Sequence, residues 1–471
     1  MKWYMVLLIS MLCSCSISTN TEVTSAFSAV LNWCKTVLIS NQPDHILPTL
    51  SRSLYSTKDD LIHAVLKEDL QETLKKIQSN FLVALRILKF SLDLVQEFGN
   101  SQNLTITWTQ EATKQFSKIQ LMLTKAYMIN LMKLIETQSI YNMPTIGMIS
   151  GRFQDANFRS VLTPGVMADV ARRALKSTQN GDAQKITPTF LVKQTNAHFS
   201  ASVDWAFQAF KHSKLAEAKK HWSLLLKTVK QHDEHWRKFA DERQRHEAIK
   251  ETQFFFNTTI SELTMNELGS FSETHTLDEN QNRDFQGEHF AKVCRQSLKK
   301  DFSMREDALH DPDLLCWLDD KGSTFGRLME PIRVEKMHSN PDLIIFHNAF
   351  SSKQCDLIID ELEKMEQVQF YESGEFYGHH RDAFSDLNAS IPTLNDVELG
   401  GATAYPEIGT FIKPVKGTAT LMVNHNPDGT IAQSMTHGGC PVVSGVKWVG
   451  VKWLHGPSKD GGGNRINEPS Q

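Results

Sequence analysis

The tripeptide His380-Arg381-Asp382 and the distant His437 place the tightest constraint on how this chain can fold. Two imidazoles and one carboxylate form the facial ligand set of a non-haem Fe(II) oxygenase. On a β-strand, residues i and i+2 point to the same side. His380 and Asp382 are therefore expected to aim at one metal while Arg381 points away. His437 has to arrive on a second strand, and a barrel brings two such strands together. Lys447 follows inside Gly445-Val446-Lys447-Trp448, a lone cation in an otherwise apolar run. A buried ammonium needs an anion, and a co-substrate carboxylate supplies one. Alone, the H-x-D tripeptide is weak, because most such tripeptides lie on surfaces. The ordered set His380, Asp382, His437, Lys447 carries the argument. The ordinary alternatives are a satisfied core histidine at His437 and a snorkelling strand lysine at Lys447.

With 471 residues the chain has room for about three domains. A net charge of -4 offers no globally basic surface for nucleic acid. Residues 1–18 read as a signal peptide: Lys2, an apolar core from Trp3 to Leu12, then Ser14, Cys15, Ser16 and Ser18. That core is too short to span a bilayer, and no later stretch supplies about 18 uninterrupted apolar residues. Secretory entry gives meaning to three glycosylation sequons, at Asn103, Asn257 and Asn388. Use of Asn388 is not expected, because it lies close to the metal ligands. Cys13 and Cys15 leave with the signal, so Cys34, Cys294, Cys316, Cys355 and Cys440 remain, an odd number. Cys294 and Cys316 enclose a short polar segment and are the expected disulfide pair. The chain ends without a retention tetrapeptide. Residence in the endoplasmic reticulum is then expected to depend on a retained partner.

The N-terminal half reads as helical. Thr57, Asp59 and Asp60 suit the start of a helix over 57–98. Leu70, Leu74, Ile77, Phe81, Ala84 and Leu88 alternate spacings of four and three, a heptad seam. A second helix is expected from about Thr109 to Thr137. A helical hairpin packed on its own domain and a coiled-coil dimerisation arm fit this pattern equally well. Farther on, Trp205, Ala206, Phe207, Ala209 and Phe210 precede Lys214-Leu215-Ala216-Glu217-Ala218, then Trp222, Leu224, Leu225, Leu226 and Val229. An aromatic helix, a short turn and an Ala-rich helix follow the grammar of a tetratricopeptide pair. Basic residues crowd 211–250, but Glu217, Asp233, Glu234, Asp241 and Glu242 dilute them, so this is a solvated helix face. Polar, mixed residues 251–290 read as linker. Asp342-Leu343-Ile344-Ile345-Phe346-His347 reads as a buried strand, and Ser351-Ser352-Lys353-Gln354-Cys355-Asp356 as the cap of a helix running to about Met365.

Four stretches carry a resemblance: Val397-Glu398-Leu399-Gly400-Gly401-Ala402-Thr403-Ala404-Tyr405-Pro406-Glu407, Pro414-Val415-Lys416-Gly417-Thr418-Ala419, Lys447-Trp448-Val449 and Lys452-Trp453-Leu454-His455. Together they closely resemble the catalytic domain of the collagen prolyl 4-hydroxylase alpha subunit, a 2-oxoglutarate oxygenase. Ser56-Thr57-Lys58-Asp59-Asp60-Leu61-Ile62-His63 resembles the same family's N-terminal region and favours the dimer arm.

The resemblance implies an α+β multidomain chain. Residues 19–150 would be a helical dimerisation region and 151–250 a tetratricopeptide-like peptide-binding region. Residues 251–335 would be linker and bridge, and 336–471 a double-stranded β-helix, or jelly roll. It implies Fe(II) on His380, Asp382 and His437, the distal carboxylate of 2-oxoglutarate on Lys447, and His455 assisting co-substrate binding and decarboxylation. The implied reaction hydroxylates peptidyl proline at C4 in procollagen-like chains, consuming O2 and turning 2-oxoglutarate into succinate and CO2. L-Ascorbate would rescue oxidised iron. The implied partners are a proline-rich peptide and protein disulfide isomerase as beta subunit, in an α2β2 or homodimeric assembly, inside the endoplasmic reticulum lumen.

The text also departs from the family pattern. Strands and a helix that precede the ligand strand in the family are missing before Glu366-Gln367-Val368-Gln369-Phe370. Between Asp382 and Gly400 a full apolar strand is expected to be lost, since Pro392 cannot donate to a central ladder. Arg381 replaces an aromatic, His379 replaces a proline, and the family's terminal partner for the Cys440 position is absent. The catalytic domain is therefore expected to be abbreviated. The alternative function is a catalytically impaired paralogue that binds peptides or partners. His380-Arg381-Asp382 is also a kinase-like tripeptide, but no catalytic-loop Asn, Asp-Phe-Gly or Gly-rich loop accompanies it.

Overall fold

The structure is a computed structural model. It describes residues 75–76, 78–100, 110–153, 156–157, 162–175, 198–243, 259–274, 288–299, 314–320, 330–363, 368–382, 387–426, 428 and 430–455. The signal peptide, Cys34, the sequons at Asn103 and Asn257, and the upper seam positions Leu70, Leu74 and Ile77 lie outside the described residues. The chain divides into two compact units, Met1–Arg283 and Asp284–Gln471.

The first unit is helical. Helix α1 (Phe81–Asn100) packs on α2 (Gln110–Tyr141), and the seam residues Phe81, Ala84 and Leu88 are buried. After α3 (Thr145–Ser150) and a two-residue antiparallel pair, β1 (Arg152–Phe153) with β2 (Ala156–Asn157), comes α4 (Pro164–Ala174). Thr163 caps α4 by accepting from Val166 N, and Pro164 occupies the first turn, where its missing N–H costs nothing. Helices α5 (Phe199–Lys211) and α6 (Leu215–Arg243) pack on each other and on α4. Trp205 is a core residue: it is fully buried, and its indole N–H donates to Gln138 Oε1 at 2.8 Å. On α6, His221, Leu224, Leu225 and Thr228 are buried. Lys219, Lys220, Lys227 and Lys230 are exposed on the same helix, the solvated basic face that the diluted charge implies. Within 251–290, α7 (Met265–Thr274) starts at a reciprocal Thr264–Glu267 capping box.

The second unit carries antiparallel sheets. It opens with α8 (Glu288–Ser297), β3 (Cys316–Asp319), β4 (Ile332–His338) and β5 (Leu343–His347). Helix α9 (Ser352–Glu363) begins at a capping box: Ser351 N donates to Gln354 Oε1 at 2.8 Å and Gln354 N to Ser351 Oγ at 3.3 Å. The strands β6 (Val368–Tyr371), β7 (Tyr377–His380), β8 (Leu387–Pro392), β9 (Leu399–Gly400), β10 (Thr403–Tyr405) and β11 (Thr410–Ile412) follow. The chain then adds β12 (Ala419–Met422), β13 (His437–Gly439), β14 (Val442–Ser444), β15 (Lys447–Gly450) and β16 (Lys452–His455).

One sheet runs β16-β8-β12-β5-β4-β3 and another β11-β10-β13-β7, with β6 paired to β15 and β9 to β14. A bridge from Thr393 to Val449 ties β15 to the end of β8. Register explains the core. Trp453 stands opposite Ala389, Ala389 opposite Met422, and Met422 opposite Leu343. The next row runs Ile391, Thr420, Ile345. These rows pack against Tyr405 and Ile412 of the other sheet. A one-residue slip would turn both rows outward, so burial fixes the register.

The structure departs from two of the sequence expectations. The strand expected to be lost between Asp382 and Gly400 is present as β8, paired on both sides. Pro392 is its last residue, opposite Ala419, and Thr393 N resumes the bonding by donating to Thr418 O at 2.8 Å. A proline at the last strand residue removes no interior donor, so it does not break the ladder. The sequon Asn388 lies within this strand. Second, Cys294 is bonded to Cys440, not Cys316. Cys294 and Cys440 are both buried, whereas Cys316 is free and exposed on the edge strand β3, and Cys355 is free and buried. Proximity along the chain favoured the short loop, while packing of α8 on β10 and β11 brings the distant pair together.

Candidate metal centre and anion pocket

β7 and β13 are antiparallel neighbours, and His380 stands directly opposite His437. Asp382 lies two residues beyond His380, just past the strand end. The expected i, i+2 relation therefore holds across a strand terminus, and Arg381 is exposed. His380 Nε2 is 3.4 Å from Asp382 Oδ1, and His437 Nε2 is 3.5 Å from Asp382 Oδ2. The ring centroids of the two histidines are 4.5 Å apart. One ligand atom from each of the three residues lies within 4.8 Å of the others.

Each imidazole is oriented by a backbone carbonyl. His380 Nδ1 donates to Gly378 O and His437 Nδ1 to Met435 O, both at 3.0 Å. A carbonyl can only accept, so in the neutral tautomer each Nδ1 carries the proton and each Nε2 presents a lone pair to Asp382. Burial, reinforced by the neighbouring His380, holds the His437 imidazole below its ordinary value. Burial alone would raise the Asp382 carboxyl, but the His380 and His437 rings outweigh it and hold the carboxyl below the usual range. The Asp382 carboxylate thus lies between the two Nε2 atoms, and a cation bound there would be met by all three side chains. Two imidazoles and one carboxylate suit Fe(II), and the carbonyl anchors on Nδ1 supply the outer support that such ligands need.

Gly438 makes the approach of the two strands possible. A Cβ there would lie 2.9 Å from His379 N, Tyr377 O and the Phe290 ring. Two of those atoms are backbone, so Gly438→Ala must push β7 away from β13. We expect a loss of about 1–3 kcal/mol in stability, with weakened metal binding, read by a denaturant melt and an Fe(II) titration of the same sample. Unchanged metal affinity would contradict this account of the strand contact.

Beside the three ligands, a pocket of about 270 Å³, counting its open mouth, is lined by Ile391, Thr393, Thr403, Tyr405, Ile412, Pro414, Thr420 and Lys447. Its walls come from both sheets. Lys447 is 5% exposed, and its Nζ lies 3.5 Å from Thr403 Oγ1 and 5.7 Å from the Tyr371 ring centroid. It has no carboxylate partner among the described residues. Burial pushes its ammonium down to about 8. Asn395 holds the flanking backbone, accepting from Trp448 N at 2.6 Å and donating to Val446 O at 2.7 Å. At Gly401, φ is +70°, a conformation that L side chains rarely adopt, and a Cβ would lie 3.3 Å from Val442 Cγ2, so glycine suits the turn.

The structure thus brings His380, Asp382 and His437 together and sets Lys447 in the adjoining pocket. His455 lies on β16 opposite Leu387, and its side chain falls outside what the structure describes. Thr403, Tyr405 and Asn395 were not singled out from the sequence. The alternation Thr403-Ala404-Tyr405 after two glycines was the available signal, since it puts both polar side chains on one face of a strand.

No protein-family model matches the chain. Among curated proteins, the chain is 36% identical over 112 residues to chicken (Gallus gallus) prolyl 4-hydroxylase subunit alpha-1, covering 21% of this chain and 22% of that protein. The human subunit alpha-1 is 35% identical over 112 residues, covering 21% of each. The Arabidopsis thaliana protein named probable prolyl 4-hydroxylase 3 is 33% identical over 118 residues, covering 19% of this chain and 41% of that protein. The matched stretch thus spans about a fifth of the alpha subunits and two fifths of the plant protein. Among solved structures, the 2OG complex of the viral collagen prolyl hydroxylase from Paramecium Bursaria Chlorella virus-1 is 21% identical, with 24% of this chain and 94% of that chain covered and a TM-score of 0.21. Over its matched stretch, this chain is a homologue of the prolyl 4-hydroxylases, alpha subunits among them.

Proposed function

We propose that the second unit is an Fe(II)- and 2-oxoglutarate-dependent dioxygenase that converts peptidyl proline to 4-hydroxyproline in procollagen-like chains. The observation that carries this reading is the convergence of His380, Asp382 and His437 beside a buried Lys447 that has no carboxylate partner among the described residues. The pairing β6-β15-β8-β12 opposite β7-β13-β10-β11 supports a double-stranded β-helix, with the ligands and Lys447 contributed by its two sheets. The presence of β8 supports an intact rather than an impaired scaffold.

His380, Asp382 and His437 hold Fe(II), which when bound supplies the O2 activation that couples oxidative decarboxylation of 2-oxoglutarate to hydroxylation at C4 of proline. Lys447 receives the distal carboxylate as a point charge, with the Thr403 hydroxyl beside it. Ile391 and Ile412 supply apolar parts of the pocket wall. His455 would assist binding of the co-substrate, and L-ascorbate would serve as the reductant that keeps the centre in the Fe(II) form. The helices α4 to α6 belong to the tetratricopeptide-like peptide-binding region, and the N-terminal helices dimerise the chain. Protein disulfide isomerase is the beta-subunit partner, in the endoplasmic reticulum lumen. The buried Cys294–Cys440 bond supports an oxidising compartment.

The test is 2-oxoglutarate decarboxylation by the chain purified with its partner, with and without a Pro-Pro-Gly repeat peptide. Peptide-stimulated, iron-dependent turnover is expected. Absence of both iron binding and stimulated turnover would leave the peptide- or partner-binding reading.

Lys447 adds a pH signature. Its ordinary value of 10.5 falls to about 8 in the ligand-free fold. Between these values the unfolded chain binds more protons, so the ligand-free unit gains stability as pH rises from about 8 towards 10.5. Binding runs the other way, because a carboxylate favours the ammonium. Affinity for 2-oxoglutarate should hold steady below pH 8 and fall by up to about tenfold per unit above it. Calorimetric titrations at pH 7, 8 and 9 read this directly, and a flat profile to pH 9 would remove Lys447 from the carboxylate.

A further inference from the structure

Tyr405 is fully buried on β10, and its hydroxyl has no hydrogen-bond partner among the described residues. Its ring is well used: it packs with Met422, Ile412 and Leu343 in the core and lies 5.8 Å from the His437 ring. A phenylalanine would give the same packing without burying an unpaired O–H. Native proteins rarely leave such a group unmatched, and each instance calls for a ligand, a water or a functional reason. The residue lines the same pocket as Lys447 and, on a strand, shares its face with Thr403, whose hydroxyl is 3.5 Å from the Lys447 ammonium.

We infer that the Tyr405 hydroxyl is a second donor for the carboxylate-bearing ligand of this pocket, fixing the position and length of the dicarboxylate that Lys447 attracts. The inference rests on the co-substrate reading above. A lone ammonium is a point charge that accepts an anion from many directions. A phenol on a rigid strand, with its ring held by the core, adds direction. Together they favour a ligand whose oxygens can reach both groups, and they penalise shorter monoacids that leave the hydroxyl unpaired.

The experiment is calorimetric titration of the full chain, loaded anaerobically with Fe(II), using 2-oxoglutarate as the probe. Tyr405→Phe should raise the dissociation constant by about tenfold to a hundredfold, the span of a hydrogen bond to a charged group. Fe(II) affinity should stay within about twofold, and the ligand-free melting temperature should hold or rise because the orphaned hydroxyl is gone. Lys447→Met serves as the reference variant. If it weakens 2-oxoglutarate binding while Tyr405→Phe binds like the parent, the tyrosine inference alone is overturned. If the parent does not bind 2-oxoglutarate, or Lys447→Met binds it unchanged, the co-substrate reading fails and the inference falls with it.

Discussion

His437→Ala is expected to lower Fe(II) affinity by at least about a hundredfold and to abolish peptide-stimulated decarboxylation of 2-oxoglutarate. Changes to groups that merely support a metal ligand already cost about 10–100-fold, and in the proposed centre His437 is one of three donors. Its loss also leaves Asp382 Oδ2 without the Nε2 that faces it at 3.5 Å. The effect is separable from misfolding by metal-linked stability. At a free metal concentration one hundred times the dissociation constant, binding adds about 2.7 kcal/mol to the native state. A hundredfold weaker site under the same conditions adds only about 0.4 kcal/mol. Thermal melts with and without Fe(II) should therefore separate widely for the parent chain and nearly coincide for the variant. An equal metal-induced shift in both would refute the ligand assignment. Asp382→Asn tests the same centre from its charge. It keeps the shape but removes the anion, so it should weaken the metal while leaving the ligand-free melt close to that of the parent.

The convergence of His380, Asp382 and His437 was legible in the sequence because the proposed chemistry demands particular residue types at particular places. Only a few side chains bind iron, alternation along a strand ties His380 to Asp382, and a lysine inside an apolar run has to find an anion. Local signals were legible for the same reason. The helix start at Ser351-Ser352-Lys353-Gln354 uses bonds spanning three residues, and it occurs where the sequence places it. What failed was non-local or masked by composition. Strand β8 reads Leu387-Asn388-Ala389-Ser390-Ile391-Pro392, with small and polar residues where a hydrophobic run was sought. Its membership is decided by partners on both sides, β12 and β16, rather than by its own propensity. Tyr405 stood in plain view in the glycine-rich run. Its interest lies in an absent partner, which only the packed structure reveals.

The cysteine pairing failed most instructively, and it sets the second large effect. Cys294→Ser and Cys440→Ser, alone or together, should cost the second unit about 2–5 kcal/mol. The bond spans 146 residues of sequence. The chain-entropy model assigns a loop of that length roughly 5 kcal/mol at 25 °C, whereas a short Cys294–Cys316 loop would constrain the unfolded chain much less. For a unit of this size the loss corresponds to a fall in melting temperature of roughly 5–20 °C. The consequence reaches the metal centre through α8. That helix carries Cys294 and Phe290, and Phe290 lies where a Cβ on Gly438 would meet it, directly behind the strand that presents His437. Freeing α8 should loosen that strand, so reduction of the bond should weaken Fe(II) binding in the folded protein as well as lower its melting point. Peptide mapping under non-reducing conditions should recover Cys294 linked to Cys440, with Cys316 alkylated. Recovery of a Cys294–Cys316 peptide, or a melt insensitive to reductant, would show that α8 is held on the sheet by packing alone.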